Sequence, residues 1–511
     1  MSGSRWLEFA VVGAYMLGVL GMGLRFSRRQ GTTDSYFTAR RSIPAWALGL
    51  SMLATIITSI SFIAYPGNAF AGNWAELVPG LMVVPVLAVT AMVIVPFFRH
   101  FIGVSAYEYF EQRFNTRVRL YGSAMFSIGH FSKMGFIMYL VALTVQSLTG
   151  WSIYAVIVAI GAITIIYTCI GGIEAVIWIE VVQCFILLMG LLVSLAYLLF
   201  LPPGGALASI RLAWVNHKMS LGSFGFEPAQ KCFWVMALYG LFFYLQKYTA
   251  DQTVVQRYLV AKSDRGAIKG VAMGGLLCVP VWTLFLLVGS LTWSFYKLTS
   301  EKLPSALTKS EQVFPYFLSV HVPAGIAGLI LAALFASAMS GMSSDLNCLA
   351  AIGVADVYGK LRPGSTDRSK LGMAKLFVAG AGICCVGVAM LLAHSTGAAL
   401  ILYFTISSIV AGGLFGVFFL AFVSSRVNAR GIEIGIVASV LFTVYATLTG
   451  NGTPALRLPA WNYGWHSLLI GPSCNVVMIV VGYAASWFFP APAAAMRART
   501  IWGWLERPRQ A

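Results

Sequence analysis

The sequence predicts an all-α polytopic membrane protein, and three observations lead to that fold class. Of 511 residues, 59% are hydrophobic and only 10% are charged, which leaves more apolar surface than a water-soluble domain can bury. Many apolar residues stand in runs of about 20, the length at which a helix crosses roughly 30 Å of hydrocarbon. The runs are too long and too uniformly apolar for barrel strands, which need only about 10 residues of alternating character. A bundle of transmembrane helices is therefore expected.

Thirteen spans can be placed along the chain, separated by polar connections. The two longest connections, about 202–232 and 297–321, are predicted to be loops, so a single membrane domain over 1–511 is expected. The first apolar run ends in basic residues, which indicates a retained span rather than a cleaved signal. The predicted spans cover about 5–25, 44–65, 76–98, 120–148, 152–170, 176–201, 233–250, 270–296, 322–355, 372–394, 398–422, 433–449 and 466–489.

The basic residues predict the orientation of the spans. Most of the 34 Lys and Arg residues flank alternate connections, and such residues accumulate on the cytoplasmic side of a membrane. This pattern predicts a bacterial inner-membrane protein with its N-terminus outside and a cytoplasmic tail at 490–511. The net charge of +17 is then a signal of topology, and its spread over short loops argues against a nucleic-acid partner.

The order of the spans predicts an internal repeat. After a leading span at 5–25, five spans at 44–201 and five at 233–422 have opposite orientations because five is odd, and two further spans lie at 433–489. In transporters with inverted repeats, the first helix of each repeat is commonly broken, which frees carbonyl groups near the bilayer midplane. Breaks are therefore expected in the second and seventh spans.

Both of these spans carry polar residues where a break is expected. The second span, IPAWALGLSMLATIITSISFIAYPG, contains Thr55, Thr58 and Ser61 ahead of a Pro-Gly pair. It is too polar for a helix that faces lipid. The seventh span, WVMALYGLFFYLQKYTADQ, ends in a polar run that includes Gln246 and Asp251. The two segments occupy corresponding positions in the two predicted repeats.

The ninth span holds the densest group of candidate ligands. Its string AALFASAMSGMSSDLNCLAAIGVADVYGK places Ser340 and Ser343 or Ser344 three or four residues apart, on one helix face. Hard cations such as Na⁺ bind oxygen atoms, which hydroxyl and carbonyl groups supply without a fixed charge. The same residues also suit close helix packing, with each hydroxyl bonded to its own helix. The residues alone leave both interpretations open.

Charged residues within spans are further candidates, because a charge in the bilayer is costly and often functional. Glu180 suits an ion or proton site, or a structural role at a helix N-terminus with a loop cation as partner. Lys133 and Lys247 suit an anionic solute group, a pair with an internal acid, or snorkelling. Asp251 and Arg257, at the inner mouth of the seventh span, suit an ion pair that latches the cytoplasmic gate, or simply a polar helix end.

The sequence lacks the motifs of common catalytic sites. It has no H-E-x-x-H zinc motif, no Walker loop and no G-x-S-x-G elbow, and its six histidines are scattered. The eight cysteines show no C-x-x-C spacing and are expected to be free thiols in the apolar interior. An enzyme is therefore not expected.

Four segments resemble the sodium:solute symporter family, and the resemblance covers nearly the whole chain. They are DQTVVQRYLVAK, RRSIPAWALGLSMLATIITSISFIAYPG, GGIEAVIWIEVVQ and the serine string of the ninth span. The first string is highly specific to that family and the others moderately so. The resemblance implies a leucine-transporter-like fold, in which one span precedes two inverted repeats of five helices and further spans follow.

The resemblance also implies a principal sodium site between the second and ninth spans. By motif position its ligands are Ala54, Ile57, Ser337 and Ser340, while Gly341 stands where the family commonly has a second hydroxyl residue. With one oxygen ligand fewer, water fills the position, the sodium affinity falls, or the dependence on sodium is altered.

A second sodium site is implied by the resemblance to some members, among them sialic acid transporters. Its residues here are Glu180, Ser343 and Ser344, with Glu where those members have Asp. Sodium binding at the longer carboxylate is expected, and a proton contribution stays open.

The solute site is expected beside the break of the second span. Thr58, Ser61 and Phe62 resemble the sialic acid branch of the family, and Lys133 stands where that branch has an Arg against the solute carboxylate. Lysine keeps the charge but loses the two-pronged geometry. Gln246, near the end of the seventh span, is a further candidate contact. A carboxylated or polyhydroxylated solute is expected, with sialic acid, sugar, monocarboxylate and polyol left open.

The expected function is sodium-coupled import of a small polar solute by alternating access, with one sodium ion or two. The alternatives are a sensor with a transporter fold, a channel and an intramembrane enzyme. A sensor usually carries a long cytoplasmic output domain and a channel a repeated filter loop, and the sequence contains neither. The expected partners are the solute and the lipid bilayer, and the oligomeric state stays open.

Overall fold

The fold is known from a computed structural model that describes residues 5–27, 30–305, 307, 309–394, 412–450 and 461–507. These residues form helices and connecting segments, with a single isolated parallel bridge between Ile43 and Ala261. The helices of the first half are α1 Arg5–Ser27, α2 Thr33–Thr38, α3 Ala45–Ile56, α4 Ser59–Ala71, α5 Leu77–Leu81, α6 Val83–Val89, α7 Val95–Phe101, α8 Glu108–Arg113, α9 Thr116–Thr149, α10 Ile153–Phe200 and α11 Gly205–Val215.

The second half continues in the same all-helical manner over its described residues. Its helices are α12 Phe233–Thr249, α13 Gln252–Val260, α14 Asp264–Thr299, α15 Val313–His321, α16 Ala324–Ile352, α17 Gly359–Leu361, α18 Asp367–His394, α19 Leu414–Val423, α20 Ala429–Thr449, α21 Ile470–Ser486 and α22 Ile501–Leu505. Two π-helical segments, Thr90–Ile94 and Gly353–Tyr358, join α6 to α7 and extend α16.

The described part of the chain has nine helical stretches long and apolar enough to cross a bilayer, and the bent pair α3–α4 makes a tenth. The chain is therefore a multi-pass all-α protein, as predicted. The count of thirteen spans and the five-plus-five repeat stay predictions, because residues 398–411 of the predicted span 398–422 lie outside the described residues.

One long helix, α10, explains part of the difference between the number of predicted spans and the number of long apolar helices observed. The predicted spans 152–170 and 176–201 both fall within α10, whose 48 residues would extend roughly 70 Å as one straight helix, about twice the hydrocarbon thickness. The backbone leaves helical geometry at Gly172, with φ +59° and ψ −165°. Any side chain at this position would also bring its Cβ within 2.9 Å of Tyr36, so glycine is required.

The two long connections are not simple loops, which corrects the prediction. The segment 202–232 contains α11, and the segment 297–321 contains α15. Both helices are shorter than a span, so a search for apolar runs of membrane length does not detect them. Helix α15 buries Val313, Phe314 and Phe317 against the bundle.

The connections separate into two ends of the bundle. The "basic end" is joined by contacts between segments predicted to be cytoplasmic: Arg99 Nε lies 2.6 Å from Asp264, and the backbone N–H of Thr33 donates to Asp367 at 3.2 Å. At the "opposite end", Lys231 pairs with Glu76 at 2.6 Å. The alternation of basic loops along the sequence thus corresponds to two faces of the folded molecule.

A polar cluster at the basic end joins α8 and α9 to the extension of α16. Arg119 donates to Asp356 at 2.8 Å and to Glu111 at 2.6 Å, and Lys360 donates to Glu111 at 2.6 Å. Burial alone would raise the pKa of Glu111, but hydrogen bonds from Lys360, Thr116 and Arg119 outweigh it and lower that pKa to about 2. The cluster therefore stabilises the fold above about pH 4.3 and loses that effect as the pH falls towards 2.

The centre of the bundle is α16, which packs against α3, α4, α9 and α10. In its membrane-length window 78% of residues are buried, against 17% for α1, so α16 is an interior helix and α1 largely faces lipid. The serine-rich string of the ninth span therefore lies inside the protein, where its hydroxyl groups must find partners.

Candidate functional site

The second span is broken at its polar residues, as the sequence predicted. Helix α3 ends at Ile56, Ile57 and Thr58 adopt extended backbone geometry, and α4 begins at Ser59. The two helices are bent by 56° relative to one another. The last four carbonyl groups of a helix have no partner within it, so a break in mid-bundle leaves oxygen atoms available for other contacts. The predicted break in the second span is confirmed.

The chain also breaks between α12 and α13, at the end of the predicted seventh span. Helix α12 ends at Thr249 and α13 begins at Gln252. Asp251 caps α13, since its carboxylate accepts a hydrogen bond from the backbone N–H of Thr253 at 2.8 Å. Because α12 is unbroken over nearly the whole predicted span 233–250, a break within the seventh span stays a prediction.

Helix α16 meets the break of α3–α4 through Ser340. The Ser340 hydroxyl donates to the carbonyl of Ala54 at 3.1 Å and lies 3.2 Å from the carbonyl of Ser337. The Ser337 hydroxyl donates to the carbonyl of Leu334 at 2.9 Å on its own helix. All of these side chains are buried. The structure thus brings Ser340 and Ala54 together, with Ser337 one turn away on the same helix.

Residue 341 also faces the break. A Cβ at Gly341 would lie 3.6 Å from Cγ2 of Thr58 and 3.9 Å from Cδ1 of Ile137, which are ordinary contact distances. The position therefore has room for a small side chain. The oxygen atoms beside it come from hydroxyl and carbonyl groups, which is the donor set that a hard monovalent cation prefers.

Glu180 forms a buried ion pair with Arg257. Nη2 of Arg257 lies 2.8 and 2.7 Å from the two carboxylate oxygens, and both side chains are fully buried. The hydroxyl groups of Ser51 and Ser344 donate to the same carboxylate. The Ser343 hydroxyl instead bonds to the carbonyl of Ser340 at 3.2 Å. Of the residues implied for a second sodium site, Ser344 contacts Glu180, and the charge of Glu180 is balanced by a guanidinium.

The predicted ion pair between Asp251 and Arg257 is wrong. Arg257 pairs with Glu180 of α10, whereas Asp251 pairs with Lys247 at 2.6 Å. The physical reason is tertiary packing, which places Glu180 of α10 beside Arg257 and lets Lys247, near the end of α12, reach the Asp251 carboxylate at the break. Asp251 and Glu180 thus each have a different basic partner, Lys247 and Arg257.

A second group of charges, here called the central charge cluster, consists of His130, Lys133, Lys247, Asp251 and Asp345. Lys133 Nζ lies 2.8 Å from one oxygen of Asp345 and 3.0 Å from the other. His130 lies between two carboxylates, with Nδ1 2.8 Å from Asp345 and Nε2 3.3 Å from Asp251. Among the interpretations left open for Lys133 and Lys247, pairing with internal acids is the observed one.

The central charge cluster lies one to two helical turns from the break, towards the basic end. On α9, His130 and Lys133 precede Ile137 by seven and four residues, and on α16 Asp345 follows Gly341 by four. Residues at these spacings share a helix face. Since α9 starts at the basic end and α16 finishes there, both steps lead in the same direction.

Other predicted solute contacts vary in their surroundings. Thr58 and Gln246 are half-buried, whereas Ser61 is buried. Phe62 is 1% exposed, and its ring centroid lies 5.3 Å from that of Phe285. The ring of Phe62 is thus covered by protein in this arrangement.

Sequence reasoning missed His130 and did not single out Asp345. A signal for them existed: His130 and Lys133 stand one turn apart in an apolar helix, and Asp345 is a carboxylate within a span. His130 and Lys133 lie 215 and 212 residues from Asp345 along the chain, so only the tertiary structure identifies these pairs.

Comparison with known proteins also indicates a sodium-coupled symporter. The model of the sodium:solute symporter family matches residues 36–438. The chain is 31% identical over 494 residues to the sodium/sialic acid symporter NanT of Aliivibrio fischeri, covering 94% of this chain and 93% of that protein. It is 32% identical over 451 residues to the sodium/sialic acid symporter SiaT of Proteus mirabilis, covering 86% and 89%.

Solved structures of symporters are also similar to this chain. A structure of a Na⁺-coupled sialic acid symporter in a substrate-bound outward-open state matches with a TM-score of 0.87 and 29% identity, over 95% of this chain and 98% of that one. The nucleobase-cation symporter Mhp1 matches in fold alone, with a TM-score of 0.53 and 16% identity over 91% and 97%.

Proposed function

Because the chain belongs to the sodium:solute symporter family, we propose that it imports a carboxylated sugar of the sialic acid type, together with sodium, by alternating access. The chain is a sodium-coupled membrane symporter and not an enzyme. The identity of the solute, the ligands of the ion and the order of events are the proposed part.

The observation that carries the proposal is the contact between Ser340 and Ala54. A helix break leaves the Ala54 carbonyl without a partner in α3, and the Ser340 hydroxyl of α16 reaches it at 3.1 Å. A sodium ion at this position would be held by the carbonyl groups of Ala54 and Ile57 and the oxygens of Ser337 and Ser340. The Ser340 hydroxyl would then turn its lone pairs to the ion and give up its bond to the Ala54 carbonyl.

Sodium at this contact would link two structural elements that must move relative to each other. An ion bound between the break and α16 stabilises the arrangement in which they touch, and a ligand shifts an equilibrium only through such differential binding. With sodium bound, Thr58 and Ser61 would be held in the positions in which they bind the solute. Each entering Na⁺ contributes about 2.3 kcal/mol per 100 mV of membrane potential.

The proposed solute follows from two relatives and from Lys133. NanT and SiaT are sodium/sialic acid symporters, at 31% and 32% identity. Lys133 is paired with Asp345 at 2.8 Å. A solute carboxylate would replace Asp345 as the partner of that ammonium group, which can accept it as a point charge. Thr58, Ser61 and Gln246 would bind hydroxyl groups of the sugar, and Phe62 would line the site.

The deciding experiment measures uptake into proteoliposomes of purified protein. Radiolabelled sialic acid, glucose, pyruvate and a polyol are compared with an inward sodium gradient and with potassium in place of sodium. We expect sodium-dependent, saturable uptake of sialic acid. Sodium-dependent uptake of another solute would refute the solute assignment, and the absence of uptake for all four would refute the proposed import.

The ion site is tested separately by Ser340→Ala. Loss of one oxygen ligand is expected to raise the half-saturating sodium concentration by about five- to tenfold, the equivalent of about 1–1.4 kcal/mol. Ser194→Ala is the matched control, because Ser194 is equally buried and its hydroxyl bonds to Gly190 of its own helix. An equal change in both variants would show that Ser340 acts only in packing.

A second sodium ion at Glu180, Ser343 and Ser344 stays a prediction. Sodium there would share the carboxylate with Arg257, which already lies 2.7 Å from it. Dependence of uptake on sodium with a Hill coefficient of about 1 would indicate a single coupling ion, whereas a value well above 1 that Glu180→Gln lowers would indicate two.

We propose the basic end as the cytoplasmic one, in a bacterial inner membrane, by the accumulation of Lys and Arg there. Asp251 and Arg257 would then lie on the cytoplasmic side of the solute site. Their proposed role at the gate is through separate pairs, Asp251 with Lys247 and His130, and Arg257 with Glu180.

A further inference from the structure

The central charge cluster contains an arrangement that requires a proton. Nδ1 of His130 lies 2.8 Å from Asp345, and Nε2 lies 3.3 Å from Asp251. A neutral imidazole carries one N–H, so only one of its nitrogens can donate, and the other would direct a lone pair at a carboxylate oxygen. The imidazolium form has two N–H groups and can serve both carboxylates.

The two carboxylates belong to different elements, and these must move apart if the solute site is to open towards the basic end. Asp251 stands between α12 and α13, while Asp345 lies on α16 and His130 on α9. The bridge through His130 therefore connects the break between α12 and α13 to two neighbouring helices. Movement of α12 and α13 away from α9 and α16 would part His130 from Asp251 and leave only Asp345 as an acceptor.

The other charges around His130 do not remove the need for a proton. Lys133 pairs with Asp345 from α9 itself, and Lys247 of α12 pairs with Asp251. Near the two carboxylates also lie Tyr107 ahead of α8, Cys348 of α16 and Cys385 of α18. Farther away, Asp356 is paired with Arg119 and Glu180 with Arg257, so the charges of these groups are already balanced.

We propose that His130 is a proton-binding site of the transport cycle: the proton bound between Asp251 and Asp345 holds the basic end closed, and its release accompanies opening. The proposal rests on the proposed alternating access and adds a proton as a second type of ion that acts on it. Histidine is suited to the role because it gains and loses a proton within the physiological pH range. A lower pH on the cytoplasmic side then favours the closed arrangement.

A native cysteine reports on the opening without any solute. Cys348 is fully buried between α16 and α13, where its thiol lies 3.0 Å from Oε1 of Gln256. Parting of α13 from α16 would expose this thiol to a water-soluble maleimide. The labelled fraction of Cys348 in the full chain can be measured by peptide mass spectrometry at pH 6 and pH 8.

The comparison is between the wild-type protein and His130→Asn, at each pH. Because thiol chemistry depends on pH equally in both proteins, the ratio of their labelling rates isolates the effect of His130. We expect the ratio of wild type to variant to fall by about fivefold from pH 8 to pH 6, since one linked proton changes an equilibrium by at most about tenfold per pH unit. A ratio that does not change with pH would overturn the proposal.

Two further variants keep the test decisive. Asp251→Asn removes one acceptor but can still cap α13, so it should abolish the pH response as His130→Asn does, even if His130→Asn folds poorly. His321→Asn is the matched histidine control, because His321 lies against Glu301 at 3.1 Å on α15, away from the cluster. It should respond to pH like the wild type, and loss of the response in His321→Asn would refute the assignment to His130. The labelling experiment contains no solute, so a negative result would contradict the role of His130 without bearing on the solute assignment, which the uptake experiment tests.

Discussion

At the scale of single residues, Gly341 sets how many oxygen atoms can surround an ion at the break of α3–α4. The resemblance to the family predicted a missing hydroxyl there, and the structure has ordinary contact distances of 3.6 and 3.9 Å around a Cβ at this position. The site therefore lacks one oxygen ligand, and a Cβ added at residue 341 would meet its neighbours without a clash. A neutral oxygen contact contributes about 0.5–1.5 kcal/mol, which is large for a weakly held monovalent cation.

Gly341→Ser should therefore strengthen sodium binding. We expect the half-saturating sodium concentration for uptake, or for thermal stabilisation of the purified protein, to fall by about three- to tenfold. Gly341→Ala is the matched control, because alanine adds the same Cβ and improves helix propensity without an oxygen. If Ala lowers the sodium requirement as much as Ser does, the effect belongs to the helix and not to the ligand set.

At the scale of elements, a buried ion pair joins the short helix α13 to α10. Arg257 joins α13 to Glu180 of α10, and hydroxyl groups from α3 and α16 complete the bonding of the carboxylate. Four elements thus meet at one pair of charges. Loss of one partner from such a pair leaves the other charge buried without compensation.

Glu180→Gln is accordingly expected to destabilise the fold by about 3–5 kcal/mol, measured as a lowered Tm in thermal unfolding of the purified protein. Asp264→Asn is the control, because Asp264 pairs with Arg99 but its side chain is 59% exposed, and such a surface pair contributes less than about 1 kcal/mol. A Glu180→Gln protein as stable as Asp264→Asn would mean that Arg257 finds another partner or that water reaches the pair.

At the scale of the whole molecule, the charge asymmetry separates the two ends of the bundle. Contacts such as Arg99 with Asp264 and Lys360 with Glu111 bring together loops that are far apart in sequence but share a basic composition. At the opposite end, Lys231 pairs with Glu76. If Lys and Arg remain on the cytoplasmic side during insertion, all these basic loops are cytoplasmic.

Fusions to reporter enzymes test this orientation. Green fluorescent protein joined after Ala511 should fluoresce in bacterial cells, and alkaline phosphatase at the same place should be inactive. Alkaline phosphatase inserted after Lys302, between α14 and α15, should be active because that connection is predicted to lie outside. The reverse pattern would invert the topology, and equal activity at both positions would contradict an odd number of spans between them.

Local signals in the sequence were sufficient to predict where the second span breaks and which helix carries the hydroxyl groups. The polar residues Thr55, Thr58 and Ser61 marked that break, because hydroxyl groups in a lipid-facing helix are unusual. The Ser340 string could be assigned to a buried helix for the same reason. Such signals depend on residues within a few positions of one another.

Pairing of charges could not be predicted in that way. The sequence suggested Arg257 for Asp251 because both stand at the inner mouth of the seventh span, yet Arg257 contacts Glu180, 77 residues away. His130 received no role, although it bridges two carboxylates from different helices. In the low dielectric of the interior, each charge pairs with whichever opposite charge packing brings within a few ångströms.

The sequence by itself determined that lipid is the solvent of this protein, that basic residues accumulate in alternate loops, that the second span breaks, and that the chain resembles sodium:solute symporters. Those properties follow from composition and from short patterns, which survive in any arrangement of the helices. Only the tertiary structure decided that Ser340 reaches Ala54, that Arg257 neutralises Glu180 and that His130 lies between Asp251 and Asp345. The reason is physical: electrostatic and hydrogen-bonding contacts act over a few ångströms of space, and distance along the chain does not determine distance in the folded bundle.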